Sequence, residues 1–348
     1  MLTTRPKILV TESGGFSVRA VELLRHIGDV VLADLDRQEL LSAVHDADIL
    51  VVRLRHQIDA EVMAAARHLK IIATLTTGLN HIDLLEAEQH GIQILSLRGE
   101  TRFLQEVRAT AEHTIALIFA LLRQVPTALR HVQEGGWNRD LFKGRELCGK
   151  TIGVIGYGRL GRIVARYLKA FDTRILTSDP YVEAVAVEEG VTLVPLAQLL
   201  READLVTLHV NLCHETQKFF GRQHFVLMKA GAWFINTSRG ELLDEEALLD
   251  ALRSRHLAGA ALDVLCEEQS EGMAKHPLVA YARDHDNLIV TPHLGGCTLE
   301  SMEKTEVFLA EKLHTTCLAP DSPLQTTASQ QRTSTTALAD RTASEGRP

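Results

Sequence analysis

Short apolar runs alternating with amphipathic stretches set the tightest limit on what this chain can become. Residues 8–10, 30–32, 49–52, 71–75 and 92–95 have the length and β-branched content of buried strands, and stretches of helical spacing such as 60–67 lie between them. A strand buried on both faces reads as a continuous apolar run. Its return to a parallel neighbour needs a crossover helix, so this rhythm predicts a parallel sheet covered by helices. One long helical pattern, 101–129, contains TIALIFALLR and stops near Gly135 and Gly136. A second series follows at 152–155, 173–177, 191–194, 205–209, 233–236, 259–262 and 288–291. The reading is an α/β chain of two doubly wound parallel-sheet (Rossmann-like) domains with a cleft between them. At 348 residues the chain also exceeds the size at which one hydrophobic core stops growing. After Leu318 the composition turns to Thr, Ser, Gln, Arg and Ala, which predicts a disordered tail over 319–348.

Composition narrows the function classes. With 45% hydrophobic and 24% charged residues and a formal net charge of −8, the chain presents no broad attraction for nucleic acid or anionic membrane. Any anionic ligand must be held locally. The opening MLTTRPKILVTESGG lacks the pattern of a secretory signal, and no run approaches a membrane span, so a soluble, cytoplasmic protein is expected. Cys148, Cys213, Cys266, Cys297 and Cys317 are scattered without a CxxC pair, which fits a reducing compartment and predicts no metal site.

The second series opens TIGVIGYGRLGR, with Gly156, Gly158 and Gly161 in G-x-G-x-x-G spacing between an apolar strand and the helical pattern IVARYLKAF. In that setting the first glycine permits a tight turn, the second lets backbone approach a pyrophosphate, and the third allows close helix packing. Backbone N–H groups at the helix start, here Tyr157 to Leu160 with Arg159 among them, then hold phosphates. Asp179 ends the next strand at about the distance where a carboxylate accepts hydrogen bonds from the ribose 2′-hydroxyl and repels a 2′-phosphate. The cofactor expected is NAD.

From these residues onward the chain resembles the D-2-hydroxyacid dehydrogenase family, most nearly its phosphoglycerate dehydrogenase-like members. GYGRLGR, LHVNLCHET, FINTSRGELLDEEAL, GAALDVLCEE and TPHLGG occur in the family's order across residues 5 to about 317. The resemblance implies that Arg239 holds the substrate carboxylate and polarises its carbonyl, that His293 is the acid/base, and that Glu268 supports His293. Those residue types suit the chemistry. Hydride arriving at a 2-keto acid puts charge on the carbonyl oxygen, which a fixed guanidinium stabilises. An imidazole then delivers the proton, and a carboxylate orients it. Glu267 adjoins Glu268, and the proline that usually follows the family's Glu is Gln269 here; counting from Asp263 selects Glu268.

The resemblance further implies cofactor contacts at His209, Val210, Thr237 and Ser238, although the usual proline is replaced by Asn211. Asp263 is assigned either to the nicotinamide ring or ribose, or to a structural role. In the first series, ATLTTGLNHID resembles the family's substrate loop, where N–H groups of Thr77, Gly78 and Leu79 receive a carboxylate. The family division implies a substrate domain of 1–98 plus 297–318, an NAD domain of 99–296, and a homodimer formed through the long connector. Arg53 and Arg55 in VVRLRHQID lie near a strand end and share a face, which predicts a second charged group on the substrate, held mainly by Arg53. The activity expected is interconversion of a small anionic D-2-hydroxyacid and its 2-keto acid. The same scaffold resembles dehydrogenases of hydroxyalkyl phosphonates and NAD-sensing transcriptional corepressors, and turnover separates the last from an enzyme.

Overall fold

The computed structural model describes residues 5–268, 272–320 and 322–324. The chain divides into two compact units, one running to Glu100 and resuming at Leu299, the other Thr101–Thr298. Each boundary lies two residues beyond the position expected from the sequence.

The first unit is a five-stranded parallel sheet of β1 (Lys7–Val10), β2 (Asp29–Leu32), β3 (Ile49–Val52), β4 (Ile71–Thr74) and β5 (Gln93–Leu95), in the order β2-β1-β3-β4-β5. Side chains alternate between its faces. Ile8, Val10, Ile49, Val51 and Ile71 pack on one side, while Leu9, Leu50, Val52 and Ile72 pack on the other. The first face is covered by the helix Val18–Ile27 and by the return helix Leu299–Leu318, whose Leu309 and Leu313 are buried there. The expected disordered tail begins too early: Leu324 is 6% exposed and belongs to the same core cluster, because one large apolar side chain is enough to dock that turn. Residues 325–348 of that expected tail lie outside the described residues.

The second unit is a seven-stranded parallel sheet of β6 (Thr151–Ile155), β7 (Arg174–Ser178), β8 (Val191–Leu193), β9 (Leu205–Leu208), β10 (Ala232–Asn236), β11 (Leu257–Leu262) and β12 (Leu288–Val290). Its order is β12-β11-β10-β9-β6-β7-β8, so the chain reverses direction across the sheet between β6 and β9. Ligands of open α/β sheets bind outside the strand ends at such a point.

The long helix expected over 101–129 is three helices, Thr101–Leu104, Ala109–Leu122 and Val125–Gln133. Pro126 supplies the second break. It has no N–H for the Leu122 carbonyl, which instead accepts from Arg145 N at 2.9 Å, and Gln124 turns left-handed at φ 53°. The chain bends there by 64°. Among the described residues no single helix is long and apolar enough to cross a membrane.

Candidate active site

The glycine loop of the second unit has the backbone its spacing requires. Gly156 sits at φ 87°, and a Cβ there would meet the His209 carbonyl at 2.3 Å; a Cβ on Gly161 would meet the Gly156 carbonyl at 2.0 Å. Only glycine fits either position. A Cβ on Gly158 would meet nothing within 4 Å, so the loop is open on that side. The N–H groups of Gly158, Arg159 and Leu160, at the start of the helix Arg159–Lys169, donate to no acceptor among the described residues. They point to an anion, as a pyrophosphate would require.

Asp179 is tied to this loop. Its Oδ2 accepts from Tyr157 N at 2.8 Å and its Oδ1 from Tyr181 N at 2.9 Å, which fixes the carboxylate while leaving each oxygen a further lone pair. The Tyr157 side chain is buried in the core with Arg162 over its ring, so only its backbone faces the loop. The Arg159 guanidinium turns away from the loop, donating to the Leu104 and Val107 carbonyls at 2.9 Å each. The side chain is thereby committed to the protein, and only the backbone N–H of Arg159 is left at the loop. His209 follows β9 with its carbonyl beside Gly156, its Nε2 lies 2.9 Å from Thr207 Oγ1, and burial lowers its imidazole to about 3. It is neutral at any working pH. Val210 packs on the core.

The residues expected to react, Arg239, Glu268 and His293, follow the ends of β10, β11 and β12. Buried Asn236 brackets the loop after β10: its Nδ2 donates to the Arg239 carbonyl at 2.8 Å, and its Oδ1 accepts from Ser238 N at 2.9 Å. The hydroxyls of Ser238 and Thr237 are committed internally, to the Leu208 carbonyl at 2.7 Å and to Thr114 Oγ1 at 2.8 Å. Arg239 is half-buried. Burial lowers its guanidinium below its ordinary value, and the nearby carboxylates of Glu268 and Glu241 oppose that shift. His293 Nδ1 lies 2.5 Å from Glu268 Oε1, and Glu267 is exposed beside it at φ 54°. The carboxylate that reaches the imidazole is therefore that of Glu268. The Cys266 thiol is pushed up to about 12 by burial and by Glu245 and Glu241, so it stays protonated.

Asp263, offered to the cofactor by one sequence reading, spends its carboxylate on the protein. Oδ1 accepts from Leu294 N at 2.8 Å and Thr291 Oγ1 at 2.6 Å and lies 3.0 Å from His113 Nε2; Oδ2 accepts from Gly295 N at 2.7 Å. Its carbonyl accepts from His293 N at 2.9 Å. Burial alone would raise the Asp263 carboxyl, but the bonds from His113, Thr291 and Leu294 outweigh it and the group titrates below its ordinary value. The result is a clamp that holds His293 in a left-handed turn at φ 53°. Sequence reasoning missed Asn236 and His113. Asn236 stood in the quoted FINTSRG, whereas the pairing of His113 with Asp263 spans 150 residues and leaves no local signal.

In the first unit, the N–H groups of Thr77, Gly78 and Leu79 follow β4 and donate to no acceptor among the described residues. Arg53 and Arg55 depart from expectation. The Arg53 guanidinium pairs with Glu306 of the return helix, whose side chain is 1% exposed, and donates to the Gly14 carbonyl at 3.1 Å. Arg55 pairs with Asp34 at 3.3 Å. Their charges are already matched, so a second charged group on the substrate loses its support.

Residues 115–295 match the family model described as D-isomer specific 2-hydroxyacid dehydrogenase, NAD binding domain. The chain is 38% identical over 310 residues to D-3-phosphoglycerate dehydrogenase of Methanocaldococcus jannaschii, covering 88% of this chain and 56% of that protein. It is 35% identical over 320 residues to glyoxylate reductase of Thermofilum pendens, covering 89% and 91%. A crystal structure of D-lactate dehydrogenase from Aquifex aeolicus, complexed with NAD and lactic acid, superposes with a TM-score of 0.75 at 27% identity, covering 88% and 94%. The chain spans about half the length of the curated phosphoglycerate dehydrogenases it matches. On its sequence and its fold, the chain belongs to the D-isomer specific 2-hydroxyacid dehydrogenase family.

Proposed function

We propose that this chain is an NAD-dependent oxidoreductase that interconverts a small D-2-hydroxyacid and its 2-keto acid. The observation that carries the reading is the 2.5 Å pair of His293 and Glu268 with the charge of Arg239 close by. The open glycine loop, the N–H groups of Gly158, Arg159 and Leu160 that have no acceptor among the described residues, and the Asp179 carboxylate together fit a dinucleotide with a free ribose 2′-hydroxyl. When bound, that cofactor supplies or accepts the hydride at C2 of the acid. In the direction of reduction, Arg239 offsets the charge growing on the carbonyl oxygen, and His293 gives that oxygen a proton from Nε2. Glu268, on Nδ1, keeps the ring oriented so that Nε2 is the nitrogen that delivers it. Oxidation reverses each transfer. The N–H groups of Thr77, Gly78 and Leu79 offer a place for the substrate's anionic group.

With Arg53 matched by Glu306, the favoured substrates are compact monocarboxylates such as glyoxylate rather than acids with a second phosphate or phosphonate. A second copy of the chain is the partner proposed for the exposed Val125, Leu129 and Val132, which share one face of the helix Val125–Gln133. The test is NADH consumption against glyoxylate, hydroxypyruvate, pyruvate and phosphohydroxypyruvate, with NAD reduction against a hydroxyalkyl phosphonate alongside. Glyoxylate or another small monocarboxylate is expected to turn over fastest. NADH binding without turnover on any of them would favour a sensor and overturn the enzymatic reading.

A further inference from the structure

We infer that the Thr76 hydroxyl, backed by Thr74 and His81, is a positioning device that aims the anion-binding loop of the first unit; this rests on the reading that Thr77, Gly78 and Leu79 receive an anionic group. Three hydrogen bonds run in series. His81 Nε2 lies 3.0 Å from Thr74 Oγ1, Thr74 Oγ1 lies 3.0 Å from Thr76 Oγ1, and Thr76 Oγ1 lies 2.6 Å from the Gly78 carbonyl. The last bond sets the direction of all three, because a carbonyl only accepts. The single Thr76 proton goes to Gly78, so the Thr76 oxygen accepts from Thr74, and the Thr74 oxygen accepts in turn from His81. His81 therefore carries a proton on Nε2. Thr74 and His81 are fully buried, so water does not compete for the bond between them, and that bond polarises the half-buried Thr76 hydroxyl beyond it.

The consequence follows from the geometry of the peptide. The unit joining Gly78 to Leu79 is planar and trans, so its C=O and N–H point in opposite directions. Drawing the Gly78 carbonyl onto Thr76 turns the Leu79 N–H away from the relay, and that N–H has no acceptor among the described residues. Glycine at 78 tolerates many backbone conformations, so without the hydroxyl this peptide is free to rotate. Ligand binding would then carry the cost of ordering it. Thr76 acts through the backbone and never touches the ligand.

The experiment titrates oxalate, an unreactive stand-in for a 2-keto acid, into the NADH-saturated full chain by calorimetry. Thr76→Val keeps the shape and removes the hydroxyl; it is expected to weaken oxalate about 5- to 10-fold, the scale of one neutral hydrogen bond, with NADH affinity unchanged. Thr76→Ser should restore the wild-type value. If Thr76→Val binds oxalate like wild type, or if Thr76→Ser is as weak as Thr76→Val, the relay has no positioning role. Leu79→Pro, which deletes the N–H itself, separates the two levels of the argument. Weak binding by Leu79→Pro together with normal binding by Thr76→Val sinks the relay and keeps the loop. Normal binding by Leu79→Pro, or no oxalate binding by wild type, sinks the loop reading and the relay with it.

Discussion

The two units start alike and end differently. Each has an apolar first strand, a glycine-containing loop, a helix, and an acid at or just beyond the end of the second strand, Asp34 in one and Asp179 in the other. In the second unit the helix start is open, with N–H groups that donate to no acceptor among the described residues and a carboxylate held ready by Tyr157 N. In the first, the corresponding place is filled by the protein itself. Glu306 accepts from Ser17 N, at the cap of Val18–Ile27, at 2.6 Å and pairs with Arg53, while Asp34 is taken by Ser13 and Arg55. A doubly wound sheet therefore does not by itself make a nucleotide site. Which side chains reach the helix start decides whether a ligand is admitted.

Paired glycine substitutions give the widest contrast. Gly161→Val places side-chain atoms against the Gly156 carbonyl, which cannot move aside as a flexible side chain would, and NADH affinity should fall at least about 100-fold in a fluorescence titration. Gly14→Ala meets only the Asp34 carboxylate, at 3.5 Å, and should leave both NADH affinity and melting temperature unchanged. Equal damage from both would erase the distinction between the units. Next in size is Glu306→Ala, which strands Arg53 and should cost about 2–4 kcal/mol of the first unit's stability by denaturant unfolding, with NADH affinity intact. A gain in NADH sites in that variant would mean that the plug alone had closed a second nucleotide site.

Smaller effects probe the open loop itself. Asp179→Ala should lower the ratio of kcat/KM with NAD to that with NADP by about tenfold, through loss of charge-assisted bonds to the ribose; an unchanged ratio removes Asp179 from the cofactor. His209 supplies a pH signature. Folded, it stays neutral down to about 3, whereas the unfolded chain binds its proton below the ordinary value of 6.5. The unfolded state thus holds more protons between those limits. Stability is complete above 6.5 and is lost as pH falls toward 3, by up to about 1.4 kcal/mol per pH unit. His209→Asn should flatten that slope in unfolding curves measured across the window.

What the sequence made legible was local. The twelve strands follow from apolar runs of a few residues, and Gly156 and Gly161 follow from backbone demands that only glycine meets. The choice of Glu268 over Glu267 came from spacing within one loop. The pairing of Arg53 leaves no local signal, because its partner Glu306 lies 253 residues along the chain, on a helix that returns to the first unit. Asp263 carries two readings in the sequence for a similar reason: its partners Thr291, Leu294 and Gly295 come from one segment and His113 from another far away, and only folding brings the four onto one carboxylate. The long connector failed at Pro126, where an apolar helical pattern outweighed a residue that removes one bond from the helix.

The proposed function has the second unit both hold the cofactor and move the proton, as separable tasks of separate residues. His293→Ala tests it most directly, with turnover of the best keto acid and NADH affinity measured on the same preparation. The expected outcome is a kcat lower by about 10²–10⁴-fold with the Kd for NADH within about twofold of wild type. Turnover that survives, or NADH affinity that falls together with turnover, would overturn that division of tasks.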